Sequence, residues 1–131
     1  MSSIFSRIIS GEIPCYKIAE DASFLAFLDI NPLVEGHALV IPKKEIDYIF
    51  DIDDALLKDM IVFSKKVASR IQKAIPCKRI GLSIIGLEVP HAHIHLVPMQ
   101  SMKDMNFSNV KLVLSSSQFE VVQTKINAIS E

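Results

Sequence analysis

The chain has 131 residues, of which 50% are hydrophobic, and its formal net charge is −1. A chain of this length can bury a core without disulfides or a structural metal. The composition excludes a disordered chain and argues against a broad nucleic-acid-binding surface. Cys15 and Cys77 form no disulfide framework, and the sequence shows neither a signal-peptide pattern nor an apolar run of ~20 residues. We therefore expect one cytoplasmic domain over residues 1–131, with no membrane or nucleic-acid partner.

The first part of the chain predicts one short helix and three strands. Apolar residues recur at helical spacing before Gly11, and then short apolar runs alternate with turn signals such as Asn31-Pro32 and Gly36. Closely spaced runs of this kind favour an antiparallel meander. The predicted elements are a helix at Ile4–Ile9 and strands at Tyr16–Ala19, Phe24–Asp29 and His37–Ile41.

The second part predicts the one long helix, over residues 54–75. Acidic residues crowd its beginning and basic residues its end, which suits the helix dipole, and Pro76 terminates it. A strand at Arg79–Ile85 follows, and a last helix fits Gln118–Ala128, with Ser117 and Glu120 as a capping box. Together with the histidine-rich stretch described next, the pattern predicts an α+β fold on an antiparallel sheet of about five strands.

Residues 91–98 read His-Ala-His-Ile-His-Leu-Val-Pro and carry three of the four histidines. His91, His93 and His95 alternate with apolar residues, which is the period of a β-strand. On such a strand the three imidazoles would share one face, with neighbours roughly 7 Å apart.

Three interpretations of this row compete. The imidazoles could be structural residues satisfied by hydrogen bonds. They could bind zinc together with His37, but His91 and His95 would lie roughly 13 Å apart on an extended strand, too far to share one ion. The sequence also places no acidic residue at metal-binding spacing beside them. The third interpretation, which we favour, is covalent catalysis by one neutral imidazole while its neighbours orient it and hold an anion.

The row resembles the signature of the histidine triad (HIT) superfamily of nucleotide hydrolases and transferases, in which three histidines alternate with apolar residues. Three further blocks resemble the Hint-like branch of that superfamily in order and spacing. The blocks are residues 4–14, 26–32 and 36–44, so the resemblance extends from about residue 3 to residue 98.

The resemblance implies a role for each matching residue. His93 would attack the α-phosphate of a nucleoside 5′-phosphate ester, anhydride or amidate and form a nucleotidyl-histidine intermediate. His91 would orient that ring, largely through its backbone carbonyl, while His95 and His37 would contact the phosphate. Asp29 would accept hydrogen bonds from the ribose hydroxyls. The purine would lie between the apolar side chains of Phe5, Ile8, Phe27 and Ile30. Glu88 and Val89, in the loop before the triad, complete the predicted nucleotide site.

The chain departs from the family pattern in two places. Many bacterial relatives hold a structural zinc ion through two cysteines and two histidines, and here those positions are Ser3, Ser6, Glu45 and His91. We therefore expect no metal. In addition, residues 85–90 replace a longer segment that supplies neutral donors to the phosphate and leaving group. Glu88 in this loop could be a solvated charge or an acid that serves the leaving group.

The resemblance implies a phosphoramidase-like nucleotide hydrolase that releases a nucleoside monophosphate. Such an enzyme would need no cofactor, would take a purine nucleotide as substrate and would form a homodimer. Two alternatives remain open at this point: a dinucleoside polyphosphate hydrolase or nucleotidyl transferase using the same site, and a non-catalytic purine-nucleotide sensor.

Overall fold

The computed structural model of the protein describes residues 2–130. These residues form three α-helices, five β-strands and two short 3₁₀ turns, at Ile49–Asp51 and Met102–Met105. The helices and strands, in chain order, are α1 (Ile4–Ile9), β1 (Lys17–Glu20), β2 (Phe24–Leu28), β3 (Ala38–Pro42), α2 (Asp54–Ala74), β4 (Arg79–Ser83), β5 (Ile94–Met99) and α3 (Ser116–Asn127).

The strands form one sheet in the order β1-β2-β3-β5-β4, and each neighbouring pair is antiparallel. This arrangement confirms the predicted α+β fold with a five-stranded antiparallel sheet. Strands β1 to β4 end within two residues of the predicted limits. Among residues 2–130, no helix combines the length and the apolar character needed to cross a membrane.

Both faces of the central strands are covered, so β2 and β3 are buried along their whole length. Alternate residues face opposite sides of a strand, which divides these apolar runs between two cores. Ala26 and Val40 contribute to the larger core, beneath α2 and α3. Phe27 and Leu39 contribute to the smaller core, which also contains Phe5 of α1.

The helix termini follow the capping rules of the sequence, although one cap differs from the prediction. The Asp53 side chain accepts from the backbone N–H of Leu56 at the start of α2. Helix α3 begins at Ser116, and its capping box is formed by Ser115 and Gln118. The predicted box of Ser117 and Glu120 is therefore wrong, because the helix begins two residues before the predicted Gln118.

The histidine stretch is not a strand over its whole length. Strand β5 begins at Ile94, and the backbone N–H of His91 is turned back to the carbonyl of Val89, 2.8 Å away. The next residue, Ala92, donates its N–H to the carbonyl of Ile46 rather than to a neighbouring strand. The strand period therefore does not apply at His91, and the prediction that three imidazoles share one face is wrong.

Candidate active site

A cavity of about 460 Å³ lies on the α1 side of the sheet. Its floor includes one cross-strand row, because Phe27 pairs with Leu39 and Leu39 pairs with His95 in the sheet register. Most of the predicted site residues line this one cavity: Phe5, Ile8, Phe27, Asp29, Ile30, His37, Glu88, Val89, His93 and His95.

The His93 ring is oriented by the backbone of the residue two positions before it. Its Nδ1 lies 2.8 Å from the carbonyl oxygen of His91, and a carbonyl oxygen can only accept. Nδ1 therefore carries the hydrogen, and the lone pair of the neutral ring is on Nε2. The Phe5 ring meets the imidazole edge to face, with centroids 5.0 Å apart. The neutral His93 ring thus has a defined tautomer, and its Nε2 lone pair could act as a nucleophile.

His37 and His95 form a second hydrogen-bonded unit. The backbone N–H of Leu33 donates to Nδ1 of His37, so the neutral His37 ring carries its hydrogen on Nε2. That Nε2 lies 3.0 Å from Nδ1 of His95 and donates to it. His95 in turn carries its hydrogen on Nε2, where the N–H is available to a ligand.

Burial keeps this pair uncharged. It lowers the pKa of His37 to about 3 and the pKa of His95 to about 4, with the neighbouring imidazoles adding to the shift. The His37 side chain is almost fully enclosed, and His95 is only 8% exposed. Both rings are therefore neutral at physiological pH. The pair offers a ligand the Nε2–H group of His95 as a neutral hydrogen-bond donor, not a positive charge.

His91 is the predicted site residue whose ring does not line the cavity. The ring is fully buried behind it, and Nε2 donates to the carbonyl oxygen of Pro42 at 2.8 Å. Nδ1 then accepts from the hydroxyl of Ser3, also at 2.8 Å. The side chain of His91 joins α1 to the end of β3, while its carbonyl serves His93.

Asp29 follows β2 directly and faces the cavity beside His37. One carboxylate oxygen accepts from the backbone N–H of Asn31 at 2.8 Å, and the other lies 3.6 Å from Nε2 of His37. Burial raises the pKa of this carboxyl group, and the hydrogen bond from Asn31 opposes the shift.

The sequence places no acidic residue at metal-binding spacing beside the triad histidines, but the fold brings Asp29 close to two of the four histidines. One donor atom each from Asp29, His37 and His95 lies within 4.8 Å of the others. However, Nδ1 of His37 accepts from Leu33, so Nε2 is protonated and has no lone pair for a metal. If Nε2 of His37 bound a metal, the hydrogen of the neutral ring would have to move to Nδ1. The Nδ1–H group would then point at the backbone N–H of Leu33.

Apolar side chains form the part of the cavity next to α1. Phe5 and Phe27 meet edge to face with ring centroids 5.7 Å apart, and Ile8 and Val89 pack against them. Ile30 is 62% exposed and Glu88 is also exposed, so both lie at the rim. This arrangement suits a flat apolar ring system whose attached polar groups extend towards Asp29 and the histidines.

The sequence did not identify Phe107 and Lys111, which also line the cavity. Phe107 packs edge to face on His95 with centroids 4.7 Å apart. The Lys111 ammonium donates to the backbone carbonyls of Phe107 and Asn109, and its charge lowers the pKa of Asp29 and of His37 as a lesser contribution. These residues belong to an irregular segment without periodicity. The segment is joined to the site by the hydrogen bond from Leu112 N to Pro32 O and by the packing of Phe107 on His95.

Comparisons with known proteins agree with this geometry. Residues 10–102 match the family model of the HIT domain. A HIT-like protein of Borreliella burgdorferi, described as uncharacterized, is 34% identical over 95% of each chain. An adenosine 5′-monophosphoramidase of Schizosaccharomyces pombe is 41% identical over 75% of this chain and 74% of its own.

A crystal structure of a HIT-like protein from Bartonella henselae superposes with a TM-score of 0.83 at 30% identity, covering 97% of this chain and 95% of the other. The match to the family model covers most of the chain, and the Borreliella burgdorferi relative aligns over nearly its whole length. The chain belongs to the HIT domain family.

Proposed function

We propose that the protein is a nucleotide phosphoramidase that cleaves the bond between the α-phosphorus and a leaving group and releases a nucleoside 5′-monophosphate. The observation that carries the proposal is the paired arrangement of His93 and His95 in one cavity. His93 has a free lone pair on Nε2, and His95 has a free N–H donor, so one ring can attack phosphorus while the other binds a phosphate oxygen. The name of the Schizosaccharomyces pombe relative supports the same reaction class.

The first step forms a bond between Nε2 of His93 and the α-phosphorus. The bond from phosphorus to the leaving nitrogen breaks, and the leaving amine takes the electron pair and a proton from the medium. Positive charge develops on the His93 ring during attack, and the His91 carbonyl oxygen at Nδ1 faces that charge. A preorganised dipole of this kind stabilises the transition state more than the substrate.

The second step returns the ring to its starting form. Water attacks the phosphorus, the bond to Nε2 breaks, and the neutral imidazole leaves with its electron pair while water loses a proton to the medium. Throughout both steps Asp29 would hold the ribose hydroxyls, and Phe5, Phe27 and their apolar neighbours would hold the base. No step requires a metal ion, which distinguishes the proposal from zinc-assisted hydrolysis.

We further propose that the protein works as a homodimer. Strand β4 lies at the edge of the sheet, and Leu82 and Ile85 on or next to it are 48% and 45% exposed. An edge of this kind suits pairing with a second copy about a twofold axis. Light scattering should then give about twice the mass of the 14.6 kDa chain, and Leu82→Lys should return the protein to a monomer.

The reaction is tested with adenosine 5′-phosphoramidate as substrate. The wild-type protein should release adenosine monophosphate, and His93→Asn should retain nucleotide binding while turnover falls by several orders of magnitude, because only binding and electrostatics remain. Rapid quenching of the wild type should trap nucleotide covalently bound to His93. Binding without turnover in the wild type would instead identify a nucleotide sensor, and turnover at wild-type rate in His93→Asn would exclude the covalent mechanism.

A further inference from the structure

Four residues that do not line the cavity form a hydrogen-bonded cluster, and none of their side chains takes part in the proposed reaction. We name Ser3, Ser6, Glu45 and His91 the anchor cluster. The Ser3 N–H and the Ser6 hydroxyl donate to the same carboxylate oxygen of Glu45, at 2.6 and 2.7 Å. The Ser3 hydroxyl accepts from the Ser6 N–H at 3.0 Å and donates to Nδ1 of His91 at 2.8 Å.

The anchor cluster does not fit the zinc ion that the family resemblance implies at these positions. Zinc favours thiolate and neutral imidazole ligands, whereas this cluster offers two hydroxyls and one carboxylate. The single imidazole has no free lone pair, since Nδ1 accepts from Ser3 and Nε2–H donates to the Pro42 carbonyl. Hydrogen bonds therefore connect the elements that a metal would otherwise connect.

The carboxylate of Glu45 remains charged under all physiological conditions. The hydrogen bond from the Ser3 backbone, followed by that from the Ser6 side chain, lowers its pKa to about 2. A charged acceptor makes both hydrogen bonds stronger than neutral ones. Glu45 is thus a permanent anchor for the N-terminus of α1, where a negative charge also suits the helix dipole.

Helix α1 needs an anchor because it has only six residues. Isolated helices of this length are not stable in water. Helix α1 nevertheless carries Phe5, whose ring lies 5.0 Å from the His93 ring and 5.8 Å from the His91 ring. The anchor cluster therefore acts on His93 along two routes, through the Phe5 ring and through the His91 backbone carbonyl.

We propose that Ser3, Ser6 and Glu45 are positioning residues that replace a structural metal: they hold α1 and His91 in place so that His93 keeps its Nε2 lone pair for attack. This inference rests on the proposed phosphoramidase function. Released from the His91 carbonyl, the neutral ring would shift towards the tautomer with hydrogen on Nε2, because the partner of one ring nitrogen sets the state of the other. That tautomer has no lone pair on Nε2 and cannot attack phosphorus through this nitrogen.

The test compares Glu45→Ala with Glu45→Gln and with Glu12→Ala. Glu45→Ala removes the shared acceptor, whereas the amide oxygen of Gln can still accept from Ser3 and Ser6. Glu12 is the matched control, because its carboxylate pairs with Arg7 of α1 at an exposed position outside the cluster. Circular dichroism first establishes that each variant is folded at the assay temperature. Ser6→Ala, which removes only the hydroxyl bond to Glu45, replaces Glu45→Ala if that variant does not fold.

We expect kcat to fall by about ten- to a hundredfold in Glu45→Ala, the loss typical of a misplaced reacting group. KM should rise by a smaller factor, because Phe5 of α1 also lines the cavity. Glu45→Gln should recover most of the activity, and Glu12→Ala should match the wild type. An unchanged kcat in Glu45→Ala, or an equal loss in Glu45→Gln, would overturn the proposal.

A second measurement needs no substrate and is independent of the proposed reaction. Nitrogen-15 NMR of the imidazoles should show His93 with hydrogen on Nδ1 in the wild type and a mixture of tautomers in Glu45→Ala. If the wild type hydrolyses no phosphoramidate but the tautomer still shifts in the variant, the positioning role stands and the proposed function fails. An identical His93 tautomer in both proteins would overturn the positioning role.

Discussion

Nε2 of His37 lies 3.0 Å from Nδ1 of His95, although 58 residues separate the two in the sequence. The contact joins the beginning of β3 to β5, and the N–H of Leu33 completes it from the other side. Each nitrogen in this series has one hydrogen-bond role, so protonation of either ring would break the series. The pair is therefore a site of acid sensitivity.

Acid should destabilise the protein through this pair. The pKa values of His37 and His95 are about 3 and about 4, below the usual value of 6.5, so the unfolded chain binds protons that the folded chain does not. Stability is thus fully present above about pH 6.5 and falls with decreasing pH by up to ~1.4 kcal/mol per pH unit for each group. Urea unfolding at several pH values should show this decline, and His37→Asn should flatten it between pH 4.5 and 6. The same slope in wild type and variant would contradict the assignment.

Asp29 should distinguish ribonucleotides from their dideoxy analogues. Its carboxylate would accept from both ribose hydroxyls, and hydrogen bonds to a charged group contribute roughly 1.5–3 kcal/mol. Asp29→Ala should therefore weaken adenosine monophosphate binding by about one to two orders of magnitude, at ~1.4 kcal/mol per tenfold. The 2′,3′-dideoxy analogue should lose much less. Calorimetry with both ligands decides the matter. An equal loss of affinity for both ligands, together with a lower melting temperature, would show that Asp29 acts only through its hydrogen bond with Asn31.

Lys111 should contribute to nucleotide binding as the one Lys or Arg side chain among the described residues that line the cavity. A partly exposed ion pair contributes up to about 1 kcal/mol. Lys111→Gln should therefore raise the Kd of adenosine monophosphate by about three- to fivefold at ~1.4 kcal/mol per tenfold. Lys103→Gln is the control, since Lys103 is exposed and does not line the cavity. Fluorescence titration gives both dissociation constants. Equal effects of the two substitutions would contradict a role of Lys111 in nucleotide binding.

Neither the activity nor the fold should depend on zinc. The anchor cluster and the His37–His95 pair use their imidazole nitrogens in hydrogen bonds, so neither offers a ready ligand set. Elemental analysis of protein purified without added metal should find no stoichiometric zinc. A strong chelator should change neither the phosphoramidase rate nor the melting temperature. Loss of activity in chelator that zinc restores would contradict this prediction.

The sequence predicted the sheet well because its central strands are continuous apolar runs between clear turn signals. It could not predict the course of residues 91–93, since the alternation of His91 and His93 with Ala92 is the same whether or not a strand is formed. What decides is a long-range bond, from Ala92 N to Ile46 O. The family resemblance had grouped Ser3, Ser6, Glu45 and His91 as the positions of one site. The hydrogen bonds that join them could not be predicted, because Ser3 and Glu45 meet only after the chain has folded.

The site residues also divide into those that the sequence predicted and those that it could not predict. The family resemblance predicted that Phe27 and Asp29 belong to one nucleotide site, and both line the cavity. Lys111 lies in a segment that has no helical or strand period. The segment reaches the cavity through contacts between residues far apart in sequence, such as the bond from Leu112 N to Pro32 O and the packing of Phe107 on His95.

The neutral state of His37 and His95 also affects how a nucleotide reaches the site. Among the described residues that line the cavity, Lys111 is the one permanent cation, and Asp29 and Glu88 oppose it. Backbone and imidazole N–H groups act over a few ångströms only, whereas net charge attracts an anion over the screening length of ~10 Å at 0.1 M salt. The rate of nucleotide association should therefore respond weakly to ionic strength, and the protein would bind its substrate almost equally well in dilute and in concentrated salt.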